Sequence, residues 1–209
     1  MESPNDLAAP DANVEQTRAD FYAVIASLLL QPPSQELLHE LASADALCHA
    51  APENSRLATS WEKLGMVASL MDAQAVREEH DALFAGAATP RLNPYASFYL
   101  CGFLMEKPLA ALRRDLGMLA LGRSQTSREL EDHFGALCET ARLQIEQGRP
   151  LALQKRFLAT HLFPWVGRFT SDLRAQPDAR FYGVLADFID AFIEIEMQAF
   201  EMEESGESA

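Results

Sequence analysis

Apolar residues recur at intervals of three and four along most of the chain, which is the spacing of one face of an α-helix. The clearest examples are the stretches that begin at Arg56 and at Phe181. No segment shows a convincing alternation of apolar and polar residues with a period of two, so no strand is predicted. The pattern therefore predicts an all-α protein, folded as a single helical bundle.

Capping residues and prolines divide this pattern into separate helices. Asn13 is predicted to cap a first helix that runs to Leu30, and Ser34 to cap the second. The third and fourth helices are predicted over residues 56–70 and 73–84.

The middle of the chain contains a predicted loop over residues 86–95, where two prolines accompany three small residues. This loop would join an N-terminal and a C-terminal part, which could form two lobes. After it we expect a short helix over residues 97–105 and another that Pro108 opens. Thr126 and Glu129 have the spacing of a capping box, which predicts that the next helix begins there.

The negative charge is concentrated at the two ends of the chain. The 209 residues have a formal net charge of −14, which argues against non-specific binding to nucleic acid. Residues 1–20 carry −4 and residues 194–209 carry −6, so the remaining body is only mildly acidic. We predict disordered acidic tails over residues 1–12 and 204–209, on either side of one helical domain over residues 13–203.

Sequence features related to the cellular compartment indicate a cytoplasmic protein. The first residues lack the positive charge and the apolar stretch of a signal peptide, and the longest apolar run, residues 21–30, is too short for a membrane helix. The three cysteines, Cys48, Cys101 and Cys138, are widely spaced and form no Cys-x-x-Cys pair. They are typical of reduced thiols in the cytosol.

No recognisable catalytic, metal or cofactor motif appears in the sequence. A carboxylate-bridged di-iron bundle needs two Glu-x-x-His pairs, and only Glu36 and His39 form one. The cysteines and histidines lack zinc-ligand spacing, and there is no phosphate loop, dinucleotide fingerprint or nucleophile elbow. We therefore expect no cofactor, no metal and no enzymatic activity, and favour a binding or structural protein.

One candidate binding feature is a cluster of aromatic residues directly after the predicted loop, at Tyr95, Phe98 and Tyr99, with Ser97 between them. Aromatic rings with polar groups are suited to the wall of a peptide-binding groove. The same residues could instead anchor the loop onto the core, and spacing alone leaves both interpretations open.

A second candidate is the acidic stretch that contains Glu129, Asp132 and His133. On a helix, Glu129 and His133 would lie on one face, because they are four residues apart. The carboxylates of Glu129 and Asp132 would both lie in the first turns. A carboxylate there also stabilises the helix dipole, so a purely structural role is equally open.

Four segments then show a resemblance in their order along the chain. Residues 80–86 read His-Asp-Ala-Leu-Phe-Ala-Gly and residues 94–99 read Pro-Tyr-Ala-Ser-Phe-Tyr. Residues 129–133 read Glu-Leu-Glu-Asp-His, where Leu130 replaces a proline of the motif. Residues 161–165 read His-Leu-Phe-Pro-Trp, and Phe181-Tyr182 follows later in the chain. In these segments the chain resembles the TorD family of redox-enzyme maturation chaperones.

The resemblance implies an all-helical chaperone without enzymatic activity. Such a protein binds the twin-arginine signal peptide or the apoprotein of a molybdopterin oxidoreductase until the cofactor is inserted. The residues that the resemblance and the aromatic cluster assign to client binding are Glu129, Asp132, His133, Tyr95, Ser97, Phe98 and Tyr99. The motif residues expected to be structural are Pro94, His161, Pro164, Trp165, Phe181 and Tyr182. Residues 103–109 further resemble members associated with formate dehydrogenases.

Several alternatives remain at this stage. The client could be a non-exported subunit of the nitrate-reductase type, as for NarJ-like chaperones. The protein could also be a helical adaptor without a signal-peptide role, or a nucleotide-dependent factor, although no phosphate loop supports the latter. We expect a monomer or a homodimer, with exchange of elements across residues 86–95 as one route to a dimer.

Overall fold

The computed structural model describes residues 12–44, 55–85, 90–122 and 129–207. In these ranges the chain is helical and contains no β-ladder, which confirms the predicted all-α class. The helices are α1 (Ala12–Leu30), α2 (Gln35–Ser43), α3 (Arg56–Leu70), α4 (Ala73–Phe84), α5 (Ala96–Cys101), α6 (Lys107–Met118), α7 (Phe134–Glu146), α8 (Leu151–His161), α9 (Phe163–Arg174) and α10 (Phe181–Glu207). Within the described ranges, no helix is both long enough and apolar enough to cross a lipid bilayer.

The centre of the fold is an aromatic core between α1, α3 and α10. The ring of Phe21 lies 5.4 Å from that of Trp61, 5.2 Å from that of Phe188 and 5.3 Å from that of Phe192, mostly edge to face. Edge-to-face pairs add stability beyond the apolar area that they bury. Helix α1 also packs along α7, so residues from both sides of the predicted loop share one buried cluster.

Local capping signals explain several helix boundaries. The predicted bounds of α3 and α4 are confirmed, and Ser34 caps α2 by accepting the Leu37 N–H at 3.1 Å. Pro108 lies in the first turn of α6, as predicted. Gly148 follows α7 with a φ of +61°, a left-handed conformation that glycine adopts without strain.

The prediction that α7 begins at the capping box of Thr126 and Glu129, and so includes residues 129–133, is wrong. Residues 129–133 are not helical, and the helix begins at Phe134 with His133 as its N-cap. The reason is a tertiary contact, because the backbone of this segment pairs with the segment before α5 instead of turning into a helix. Glu129 and His133 therefore do not share a helix face. Residues 126–128, which complete the predicted capping box, lie outside the described residues.

The helix after the loop is also shorter than predicted. Helix α5 ends at Cys101, because Gly102 adopts a φ of +83° and donates its N–H to the Phe98 carbonyl at 2.8 Å. The residues from Gly102 to Glu106 then lead to α6 without helical structure. Cys101 is exposed, Cys138 is buried, and both thiols are free.

The last helix extends beyond the predicted domain boundary, because α10 continues to Glu207. Its glutamates are not all part of a tail. Glu194 accepts a bond from Arg56 at 2.5 Å, and Glu196 is buried against Arg18 at 2.7 Å. Two of the glutamates that give residues 194–209 their negative charge are therefore held in ion pairs within the fold. Residues 1–11 lie outside the described residues.

Candidate functional site

The structure brings the two predicted candidate segments together. The backbones of Tyr95 and His133 pair in an isolated antiparallel β-bridge. Their side-chain rings lie edge to face, with centroids 5.1 Å apart. On either side of the bridge, Ala96 donates its N–H to the Asp132 carbonyl at 2.9 Å, and Phe134 donates to the Pro94 carbonyl at 2.7 Å. The residues predicted on both segments therefore belong to one site at the beginning of α5 and α7.

Asp132 lies inside this site and not on its surface. Its side chain is fully buried, and its Oδ2 atom accepts the Ser97 N–H at 2.9 Å and the Ser97 hydroxyl at 2.5 Å. Oδ1 is also buried and has no hydrogen-bond partner in the described part of the chain. Because Ser97 is in the first turn of α5, the carboxylate of Asp132 caps that helix from a distant position in the sequence.

His133 is buried and uncharged at neutral pH. Burial lowers its pKa to about 4, and the nearby carboxylate of Glu129 opposes this shift only in part. Its Nδ1 atom accepts the Gly135 N–H at 3.1 Å, so the proton of the neutral ring is on Nε2. The imidazole therefore caps α7 and carries no positive charge that would repel a basic ligand.

Glu129 is the accessible carboxylate among the predicted client-binding residues. It accepts a hydrogen bond from the Tyr95 hydroxyl, and both side chains are partly exposed. Burial, which is the larger cause, and this bond to Glu129 both raise the pKa of Tyr95. The neighbouring Glu131 forms an ion pair with Arg113 of α6 at 2.9 Å.

The aromatic residues of α5 point in two directions. Tyr99 faces the core, where it stacks on Trp165 at 5.2 Å and donates its hydroxyl proton to Asp172 at 3.1 Å. Arg168 donates to the Tyr99 carbonyl and lies over its ring. Phe98 is exposed on the other side of the helix. The core-anchoring interpretation thus describes Tyr99 and the buried Ser97, whereas Phe98 is available to a ligand.

The residues expected to be structural are mostly buried. His161 bonds Asp115 at 2.7 Å, and the Trp165 indole donates to the His161 carbonyl at 2.8 Å. Phe181 and Tyr182 are fully buried at the start of α10, where their N–H groups bond the carboxylate of Glu79. Pro164 lies exposed in the first turn of α9. Sequence reasoning missed Glu79, since no spacing signal links it to residues about a hundred positions later.

Sequence reasoning also missed an exposed apolar surface at the end of α5 and in the connection to α6. We call it the α5–α6 surface, and it consists of Phe98, Leu100, Phe103, Leu104 and Met105. Phe103 and Met105 are 70% and 71% exposed, which is unusual for large apolar side chains in succession. The run Phe-Leu-Met after a glycine was the available signal.

A cleft of about 720 Å³ adjoins this surface between α5 and α9. Its lining includes Phe98 and Leu100 on one side and Gly167, Arg168 and Ser171 on the other. A side chain at Gly167 would have open space next to its Cβ atom, with no neighbour within 4 Å. In the described ranges, no group of three His, Cys, Asp or Glu side chains is arranged to hold a metal ion.

Comparisons with known proteins agree with this fold. The family model of the nitrate reductase delta subunit matches residues 50–171. The chain is 23% identical over 177 residues to the chaperone protein TorD of Actinobacillus pleuropneumoniae serotype 7 (strain AP76), which covers 84% of this chain and 78% of that protein. The crystal structure of a protein described as a redox enzyme maturation protein from Archaeoglobus fulgidus shares the fold, with a TM-score of 0.56 and 15% identity over 90% of this chain and 99% of that chain.

Proposed function

The chain belongs to the nitrate reductase delta subunit family, which includes the TorD-like redox-enzyme maturation chaperones, and we propose that it binds the twin-arginine signal peptide of a molybdopterin oxidoreductase. As a member of this family it is a chaperone and not an enzyme. In the proposed role it acts in the cytoplasm and holds the apoprotein until the cofactor is inserted and export begins.

The observation that carries this proposal is the combination of an accessible carboxylate beside the beginning of α5 and an exposed apolar surface at its end. Glu129 bonds Tyr95 at the beginning of α5, and Leu100 lies near its end. A helix of six residues spans about 9 Å at 1.5 Å per residue, so the two features lie within reach of one peptide.

The chemistry of the two features matches that of a twin-arginine leader. Such a leader presents guanidinium groups followed by an apolar stretch. A carboxylate can form charge-assisted hydrogen bonds with a guanidinium group. The α5–α6 surface offers large side chains against which an apolar stretch can pack, as in other peptide-binding grooves. The neutral state of His133 adds no positive charge next to the place where the guanidinium groups would bind.

Calorimetric titration with synthetic leader peptides tests this proposal. The probe is the twin-arginine leader of a formate dehydrogenase. It is compared with one variant in which both arginines are glutamine and another in which the apolar stretch is replaced by serine and glycine. We expect both replacements to weaken binding at least tenfold. Equal binding of all three peptides, or no binding of the natural leader, would contradict the proposal.

A second client class is favoured by the description of the matching family, the nitrate reductase delta subunit. In that case the chain binds the N-terminal segment of a non-exported molybdoenzyme subunit, which has no arginine pair. The same titration with such a segment separates the two, because its binding would depend on the α5–α6 surface and not on Glu129. The resemblance of residues 103–109 to formate-dehydrogenase-associated members makes a formate dehydrogenase our proposed first client to test.

A further inference from the structure

The beginning of α5 depends on a single residue from another part of the chain. Asp132 satisfies three donors there, because its carbonyl accepts the Ala96 N–H and its carboxylate accepts both the N–H and the hydroxyl of Ser97. Tyr95, the N-cap residue itself, makes no side-chain capping bond. The first turn of α5 is therefore held by a residue that lies 35 positions after Ser97.

Helix α5 has little stability of its own, because a helix of six residues is too short to persist without tertiary contacts. Its inner face is fixed by Tyr99, which stacks on Trp165 and bonds Asp172. Its N-terminal end is fixed by Asp132. These two attachments determine how Phe98 and Leu100 are presented on the outside.

We propose that Asp132 is a positioning residue, whose carboxylate fixes the first turn of α5 and so supports client binding without contacting the client. The inference rests on the proposed function, since the surface that α5 presents is the proposed docking surface. Both carboxylate oxygens are buried, so a ligand that reached Oδ2 would have to displace Ser97. Direct recognition of a guanidinium group is thereby left to the accessible Glu129.

Hydrogen exchange on the full-length protein tests the positioning role without any client. In Asp132→Asn, we expect the amides of residues 97–100 to exchange at least tenfold faster than in the wild type. The matched control is Glu131→Gln, which makes the same charge change one residue earlier but alters a contact to Arg113 of α6. Unchanged protection of α5 in Asp132→Asn would overturn the inference.

A milder variant keeps this test informative if Asp132→Asn does not fold. Ser97→Ala removes only the hydroxyl bond to Asp132 and keeps the backbone bond. We expect it to speed exchange at the start of α5 by a smaller factor than Asp132→Asn would, and to leave exchange in α10 unchanged. Wild-type protection of α5 in Ser97→Ala would count against the inference in the same way.

A double-mutant cycle then tests the absence of contact. The leader peptide and its Arg-to-Gln variant are titrated into the wild type and into Asp132→Asn. We expect Asp132→Asn to weaken both peptides by the same factor, within about twofold, because distant groups add independently. A loss greater than tenfold that is confined to the arginine peptide would show direct contact and overturn the inference. If the wild type binds neither peptide, the proposed function fails, while the exchange experiment still decides whether Asp132 holds α5.

Discussion

The carboxylate of Glu79 accepts the backbone N–H of Tyr182 at 2.8 Å, across 103 positions of the sequence. Its other oxygen accepts the Phe181 N–H at 3.1 Å. Glu79 is buried in α4, and burial raises its pKa although these backbone bonds oppose the shift. A side chain of the N-terminal part thus caps the longest helix of the C-terminal part, as Asp132 caps α5.

Loss of this cap should destabilise the whole fold. We expect Glu79→Ala to lower the free energy of unfolding by about 2–3 kcal/mol, since two bonds to a charged acceptor are lost and two donors in the first turn of α10 stay buried. The adjacent Glu78→Ala is the control, because Glu78 is exposed and its hydrogen bond within the described part of the chain is to Gln74 of its own helix. Urea denaturation measures both variants, and equal midpoints would contradict the capping role.

Stability should decrease on acidification because of His133. Its pKa is about 4 in the folded protein and about 6.5 when unfolded, so between these values the unfolded chain binds a proton that the folded chain does not. The stability that the neutral imidazole contributes is complete above about pH 6.5 and is lost progressively towards pH 4, by about 3 kcal/mol in total.

The variant His133→Asn isolates this effect. Asparagine is a good N-cap and can still accept the Gly135 N–H, but it does not titrate. We expect the free energy of unfolding of His133→Asn to depend less on pH between 6.5 and 4 than that of the wild type. His39→Asn, at an exposed position, serves as the control and should follow the wild type. Parallel curves for wild type and His133→Asn would refute the assignment.

The sequence predicted the elements whose signals are local. The bounds of α3 and α4 follow from apolar spacing and from capping residues within the same segment, and both are confirmed. The start of α7 was not predictable in this way, because the segment before Phe134 pairs with residues around Tyr95. A tertiary contact therefore overrode a local capping pattern.

For the candidate site, the motifs identified the right segments but not the environment of each side chain. The buried carboxylate of Asp132 receives its hydrogen bonds from Ser97, which lies 35 positions earlier. No periodicity in the sequence reveals such a pair. The net charge of a segment is equally uninformative about single side chains, because it does not show that Glu196 is buried against Arg18. Which residues are accessible becomes visible only in the folded structure.

That buried pair yields a third prediction. The Arg18 guanidinium makes two bonds to the Glu196 carboxylate, at 2.7 and 2.8 Å, and Tyr22 donates a third bond at 2.9 Å. We expect Arg18→Met to destabilise the protein by about 3–5 kcal/mol, because it leaves a buried carboxylate without its cation. Adding Glu196→Leu should restore part of that loss, although it leaves the buried Tyr22 hydroxyl without its acceptor. The exposed pair Arg56→Met with Glu194→Leu should change stability little. A double variant as unstable as Arg18→Met would contradict this account.

Two glycines on different helices should respond oppositely to alanine. A Cβ atom at Gly135 would lie 2.7 Å from Leu30 Cγ and 3.1 Å from the Ala26 carbonyl oxygen. Helix α7 can therefore approach α1 this closely only because Gly135 has no side chain. We expect Gly135→Ala to cost about 1–3 kcal/mol from overpacking. Gly167→Ala should instead stabilise α9 by up to about 1 kcal/mol, because nothing occupies that space. Thermal denaturation measures both changes, and a stable Gly135→Ala would show that α1 can move aside.

The last prediction concerns the α5–α6 surface, whose exposed apolar side chains we expect to contribute to binding and not to stability. Phe103 and Met105 are mostly exposed, so replacing them by polar residues should change the free energy of unfolding by less than about 0.5 kcal/mol. Met105 has a φ of +59°, and asparagine tolerates that conformation, so the suitable variant is Phe103→Ser with Met105→Asn.

We expect this double variant to bind the leader peptide at least tenfold more weakly, because the apolar stretch of the leader loses the side chains against which it packs. Met66 and Leu70 of α3 provide the matched control, since they are 63% and 77% exposed and lie on another helix. Replacing both by serine removes similar apolar area and should leave peptide affinity within about twofold of the wild type. If both double variants weakened binding equally, the α5–α6 surface would have no special role. If neither did, the apolar stretch would have to bind elsewhere on the protein.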